Sequence, residues 1–280
     1  MSRPTLALLL VSMLWGTTFV AIKSGLDDAS PLLFVGMRFA IAAIVAAATL
    51  PHREALRDAL PVAVPLGLVL AIGYASQTIG LQTTTPARSA FVTGVNVAIV
   101  PVWGALLLRR RPRTLTLAGL AITVPGLWLL TSPGGSSWTV GDGWTLACAI
   151  AFALHVVLLN LWSPRHETSA LLVGQLAVTA VACLGAAIAL EEPRVTFTHS
   201  LAAALAVTAL LATVGTTWLQ LRFQPRVDAT RAAVLYTTEP VFAAFFSFWL
   251  YGERLPVLGW SGGALILAGT LLSEFGGRRR

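Results

Sequence analysis

Runs of about twenty apolar residues recur ten times along this chain, and few folds can house so many. Their approximate cores are 5–23, 32–50, 62–82, 88–108, 115–131, 143–161, 169–190, 201–222, 231–251 and 258–275. An α-helix of that length crosses the ~30 Å hydrocarbon core of a bilayer. Ten such helices take roughly 200 positions of the 280 available. The connections must then be short, which leaves no room for a soluble domain. The breaks fit this division, with "DDASP" at 27–31, "TTTPA" at 83–87, "SPGGSSWTVGDG" at 132–143 and "FQPRVDA" at 223–229.

Composition excludes a water-soluble alternative. Charged residues make up 11% of the chain and the mean hydropathy is +0.78, whereas a soluble domain carries about a quarter charged residues. Met1 to Lys23 reads as the first membrane span rather than a signal peptide, because its apolar run is long and no small-residue cleavage site follows. Cys148 and Cys183 lie far apart in apolar runs, which is neither a zinc-site spacing nor a disulfide framework.

Orientation follows from the basic residues. With the N-terminus cytoplasmic, fourteen of the 19 fall on inside segments and four (Lys23, Arg88, Arg194 and Arg254) on outside ones, with Arg38 inside a span. Both termini are therefore expected in the cytoplasm. The same bias accounts for the net charge of +7 without a nucleic-acid partner.

The chain also repeats itself. A shift of 143 places "ARSAFVTGVN" (87–96) over "TRAAVLYTTE" (230–239), Gln77 over Gln220, Gly119 over Gly262 and Gly126 over Gly269. Nearer the start the offset is 139, with "SPLL" (30–33) over "SALL" (169–172). One register held through polar and glycine positions indicates duplication, with halves at 1–138 and 139–280. Each half holds five spans, an odd number, so the second copy enters the membrane from the opposite side. The fold class expected is an all-α integral membrane protein of ten transmembrane helices in two inverted-topology five-helix repeats.

"SPLLFVGMRF" in the second span and "EPVFAAFFSFWLYGERLPVLGWSGGALILAGTLL" at 239–272 resemble the EamA-type permeases of the drug/metabolite transporter superfamily. The first half departs from the pattern, with "LRRRP" (108–112) where the second has "YGERL" (251–255). The resemblance implies a central cavity lined by helices 1–4 and 6–9, with helices 5 and 10 as peripheral supports. Some relatives export amino acids and others move different metabolites, so the family does not fix a substrate.

Within "YTTEP" (236–240) lies the most informative residue. An ionised carboxylate at bilayer depth costs about 2.5–3.5 kcal/mol, so Glu239 is expected to face the protein interior or a wet cavity. Tyr236 and Phe246 share its helical face, and their first-half counterparts with Glu239 are Thr93, Asn96 and Trp103. Pro240 removes a backbone donor and can bend the helix. Glu239 is a candidate for binding substrate or exchanging a proton, against a packing or capping role. Arg38 sits at a different depth, and no direct ion pair with Glu239 is expected. It could hold a substrate carboxylate, or snorkel outward or bond backbone carbonyls.

The remaining candidates are weaker. Tyr74 and Gln77 are three apart on the third span, with Gln220 repeating Gln77; Trp15 and Phe19 share a face on the first, and His155 and Trp162 on the sixth. Aromatics in membrane helices are commonly packing residues, but their convergence would favour an apolar or aromatic group on the substrate. His155 reads as a hydrogen-bonded interior histidine or a proton relay. The glycine pairs 119/126 and 262/269 read as helix-packing positions. Gly259 to Gly263 formally match G-x-S-x-G but open a membrane helix, where GxxxG packing is the better-motivated reading. No P-loop, dinucleotide fingerprint or metal-ligand cluster appears, so no cofactor, metal or ATP-driven step is expected.

The function expected is a secondary active transporter, an exporter, of small metabolites such as amino acids across a bacterial inner membrane by alternating access. Its partners would be the metabolite, the lipid bilayer and, as a candidate, protons. The alternative is a membrane-embedded enzyme or a channel.

Overall fold

A computed structural model describes residues 2–48, 53–84, 86–109, 112–131, 138–251 and 257–276. The helices are α1 (Arg3–Gly16), α2 (Phe19–Asp28), α3 (Pro31–Ala47), α4 (Arg53–Gly80), α5 (Pro86–Gly94), α6 (Asn96–Leu108) and α7 (Thr114–Thr131). After the connection come α8 (Val140–Trp162), α9 (Thr168–Leu190), α10 (His199–Ala209), a π-helical turn (Leu210–Gly215), α11 (Thr216–Phe223), α12 (Ala229–Tyr236), α13 (Glu239–Tyr251) and α14 (Val257–Gly276). No strand occurs among the described residues beyond an isolated bridge between Ala29 and Val195. The Gly252-Glu253-Arg254 motif, Arg110, Arg111 and the side chain of Arg88 lie outside the described residues.

Among the described residues seven helical stretches are long and apolar enough to cross a membrane, and the protein is a multi-pass membrane protein. The other three expected spans differ for local reasons. The first is interrupted at Thr17-Thr18, the second is the 17-residue α3, and the ninth is interrupted at Thr237-Thr238. Large apolar side chains on separate helices point away from the protein, among them Ile44, Ile72, Leu106, Val181 and Ile188, which are 56–78% exposed. Such an outer wall suits acyl chains and would be unstable against water.

Helix starts are written in the sequence. Thr139 and Asp142 form a capping box on α8, and Ser2, Thr198 and Asp228 cap α1, α10 and α12 through their side chains. The start of α3 instead receives Glu191 from the end of α9, whose carboxylate accepts from the backbone N–H groups of Leu32 (3.3 Å) and Leu33 (2.9 Å).

Close approaches fix how the helices run. Gly174 faces Ala63 and Gly67 faces Val178, so α4 and α9 are parallel. Gly73 faces Phe152 and Gly80 faces Thr145, so α8 is antiparallel to both. Thr84 donates to Asp142 (2.6 Å) at the start of α8, while Asn160 near its end donates to the Val227 carbonyl (2.8 Å). These two connections therefore reach opposite ends of a 23-residue helix, at points about 27 Å apart.

The α7–α14 pair is the tightest. A Cβ added at Gly119 would stand 2.5 Å from the carbonyl oxygen of Gly269, and one at Gly126 would stand 2.8 Å from that of Gly262. The contacts are reciprocal under the 143-residue shift and require the two helices to be antiparallel. Without side chains at these points the backbones touch, and dispersion replaces the missing hydrophobic drive within lipid.

Replacing Gly126 with Leu should push the pair apart and destabilise the protein by about 1–3 kcal/mol, seen as a lower melting temperature in detergent. Gly104→Ala, at a site with nothing within 4 Å of the new methyl, should leave melting unchanged or raise it slightly.

Candidate substrate site

Helical spacing brings the polar residues together. Tyr74 and Gln77 on α4, Thr93 and Asn96 across the α5–α6 break, and Tyr236 and Glu239 across the α12–α13 break are each three residues apart, which puts each pair on one face. All six line a single cavity of about 100 Å³, well above the ~10–15 Å³ that admits one water molecule. Trp15, Arg38, His155 and Gln220 complete its polar and aromatic wall.

The cavity is bounded by interrupted helices. Both α6 and α13 begin at the same register position, Asn96 and Glu239, so the interruption does not depend on Pro240, whose counterpart in the first half is not a proline. Pro240 falls in the first turn of α13, where its missing N–H has no partner to lose. Glu239 is the first residue of α13, at the positive end of the helix dipole. Among the described residues its carboxylate takes no hydrogen bond and no ion pair, and it faces the cavity.

Backbone carbonyls freed at the interruptions are taken up by threonine. Thr17 and Thr18 donate to the carbonyls of Leu14 (2.7 Å) and Trp15 (2.8 Å), and Thr237 and Thr238 to those of Val234 (2.6 Å) and Leu235 (2.7 Å). The two interruptions abut, since a Cβ on Gly16 would lie 2.9 Å from the Glu239 carbonyl oxygen. Trp15 packs against Tyr236 with ring centroids 5.3 Å apart.

Arg38 is 2% exposed, and the π-helical turn holds it. Its Nε donates to Thr213 Oγ1 (2.7 Å) and its Nη2 to the Ala212 carbonyl (3.2 Å). The Tyr74 ring lies 4.8 Å from its Cζ and the Phe39 ring 5.6 Å. Among the described residues no ion pair joins it to Glu239; Arg231 and Glu274 pair at 2.6 Å at one end of the bundle, where Thr5 bonds both.

One hydrogen bond recurs at positions 143 residues apart. Gln77 Nε2 reaches Thr93 Oγ1 at 3.4 Å, and its counterpart Gln220 Nε2 reaches Tyr236 Oη at 3.4 Å. Tyr236 in turn donates to Gln224 Oε1 (2.8 Å), and Gln224 Nε2 donates to Asn160 Oδ1 (2.6 Å) and the Val156 carbonyl (2.9 Å). Behind the wall, His155 Nε2 lies 3.1 Å from Gln175 Oε1 of α9.

Comparison with known proteins decides the family. The sequence model of the EamA-like transporter family matches residues 3–132 and 139–275. The chain belongs to the EamA-like transporter family. A protein of Archaeoglobus fulgidus described as an uncharacterized transporter is 28% identical over 95% of this chain and 84% of its own. A probable amino-acid metabolite efflux pump of Salmonella typhimurium is 26% identical over 97% of this chain and 95% of its own. A solved crystal structure shares the fold with a TM-score of 0.83 at 21% identity, over 98% of this chain and 97% of the other.

Of the twelve residues singled out in this EamA-like sequence, nine line the cavity: Trp15, Arg38, Tyr74, Gln77, Asn96, His155, Gln220, Tyr236 and Glu239. Trp103 instead packs on the cluster around Val97, Val100 and Leu8, and Trp162 on that around Leu159 and Leu171. The side chain of Phe19 lies outside the described residues. The expected lining by helices 1–4 and 6–9 differs at the seventh, because no described residue of α9 reaches the cavity; α9 packs behind α3 and α4. Among the wall residues outside those twelve are Thr18, Phe152 and Thr217. Each lies three residues from one of the twelve, so the helical-face rule applied in both directions would have found them.

Tyr236→Phe removes the hydroxyl between Gln220 and Gln224 and leaves a buried acceptor unpaired. It should destabilise the protein by about 1–3 kcal/mol, measured as a drop in detergent melting temperature; an unchanged melting temperature would mean that the network has no structural weight.

Proposed function

We propose that this protein is a secondary active transporter that exports small metabolites such as amino acids by alternating access. The observation that carries this reading is the cavity itself, set among interrupted helices and lined by polar residues from both parts of the sequence. Irregular backbone within a membrane is tolerated where it lines such a cavity, and transporters place their sites at discontinuous helices between repeats.

The ten-span, inverted-repeat arrangement, with halves at 1–138 and 139–280 and both termini cytoplasmic, belongs to this proposal. It is supported by the reciprocal glycine contacts of α7 and α14, by the matching Gln77–Thr93 and Gln220–Tyr236 bonds, and by the opposite ends reached by the 84–86 and 224–228 connections. Two related halves threaded in opposite senses can pack in two equivalent ways. One opens the cavity inward and the other outward, while the α7–α14 pair serves as a fixed support. The efflux-pump relative is consistent with export of amino-acid metabolites.

Glu239 is the proton-coupling candidate. A carboxylate without a protein partner can take a proton in one state and release it in the other, so the cycle would draw on a proton gradient. Counterflow into proteoliposomes should be saturable for the wild type, with a rate that varies with pH. Glu239→Gln should flatten that variation; a variant with unchanged rate and pH profile would remove proton coupling at this residue.

A further inference from the structure

The cavity wall carries two opposite charges that the chain itself leaves incompletely partnered. A guanidinium has five N–H donors, and the hydrogen bonds of Arg38 to Thr213 and Ala212 use two of them. Tyr74 lies over the guanidinium and is a further side-chain hydrogen-bond partner, and the donors still free lie along the edge of the fork, the geometry that receives a carboxylate. Glu239 has no polar partner among the described residues and opens onto the same cavity.

Trp15 links the surroundings of the two charges, which line the same cavity. Its indole N–H donates to the Ala212 carbonyl (3.3 Å), which also accepts from Arg38. The next residue, Gly16, lies directly against the backbone of Glu239. Trp15, Tyr74 and Phe152 line the same cavity, the last two with their ring centroids 5.1 Å apart.

We propose that Arg38 and Glu239 are the two poles of one subsite for a zwitterion. The carboxylate of the solute meets the edge of the guanidinium, its ammonium meets Glu239, and its apolar side group rests on the Trp15, Tyr74 and Phe152 rings. This rests on the carrier reading above and narrows it to a substrate class. An organic anion would satisfy Arg38 and face Glu239 with like charge; an amine would do the reverse. Only a solute bearing both groups gives each charge on the cavity wall a partner, and unpaired or like charges out of water are strongly disfavoured. Thr213 is a positioning residue. Its hydroxyl accepts from Arg38 and donates to the Thr208 carbonyl (2.9 Å) five residues back, a bond that the π-helical turn makes possible.

Counterflow in proteoliposomes tests this with L-leucine and L-phenylalanine, the matching amines that lack the carboxylate, and the matching acids that lack the ammonium. Wild type should exchange the amino acids at least about tenfold better than either set of analogues, the discrimination that one charge-assisted contact supplies. Arg38→Gln should shift the preference toward the amines and Glu239→Gln toward the acids. These opposite shifts are not produced by a loss of packing. Thr213→Val keeps both charges and should weaken amino-acid exchange about tenfold while sparing the amines, which guards against poor folding of the charge variants. Saturable exchange of amines or acids without preference for the amino acids would retain the carrier and overturn the dipolar subsite. So would charge variants that weaken all three classes equally. Absence of exchange for every compound would overturn both readings.

Discussion

A helix interrupted at membrane depth frees carbonyls that no water is there to receive, and the interior of this protein is organised around that constraint. Threonine is the recurrent answer. The pairs Thr17-Thr18 and Thr237-Thr238 turn their hydroxyls back on the preceding turn. The buried Ala212 carbonyl of the π-helical turn gathers Trp15, Arg38 and Thr216. Backbone that would otherwise be unstable in lipid is thus satisfied locally, and side chains of charged residues are left to face the cavity.

The proposed alternation also calls for a support that does not yield. The α7–α14 contact provides it through glycine backbones in direct touch, with no described side chain of either helix on the cavity. The α4–α8 and α4–α9 contacts, with Gly67, Gly73 and Gly80 against α9 and α8, extend this close packing behind Tyr74 and His155. The interrupted segments α1–α2, α5–α6 and α12–α13 meet around the opening. Packed cores are bistable rather than continuously deformable, so a cavity bordered by such segments suits discrete alternation more than gradual widening.

Much of this is legible in the sequence because lipid imposes one strong rule. Long apolar runs mark the helices, and a carboxylate inside such a run marks Glu239 as an interior residue. The 143-residue register pointed to Gln77 and Gln220, and to the glycines that turn out to touch. The π-helical turn left no sign, because Leu210–Gly215 is as apolar as the helix around it and an extra residue in a turn changes no composition. Thr213 was therefore not foreseen as the partner of Arg38. Trp103 and Trp162 were expected near the substrate but serve packing, since a tryptophan carries the same signature in either setting.

The most direct test of the opposed threading is sidedness at two equivalent positions. Thr83 and Arg226 are exposed and separated by the repeat offset of 143 residues. Each would be replaced singly by cysteine in a background with Cys148 and Cys183 changed to alanine, then labelled with a membrane-impermeant maleimide added to one side of sealed vesicles. Labelling of position 83 from one side and position 226 only from the other is the predicted result. Labelling of both from the same side would contradict it.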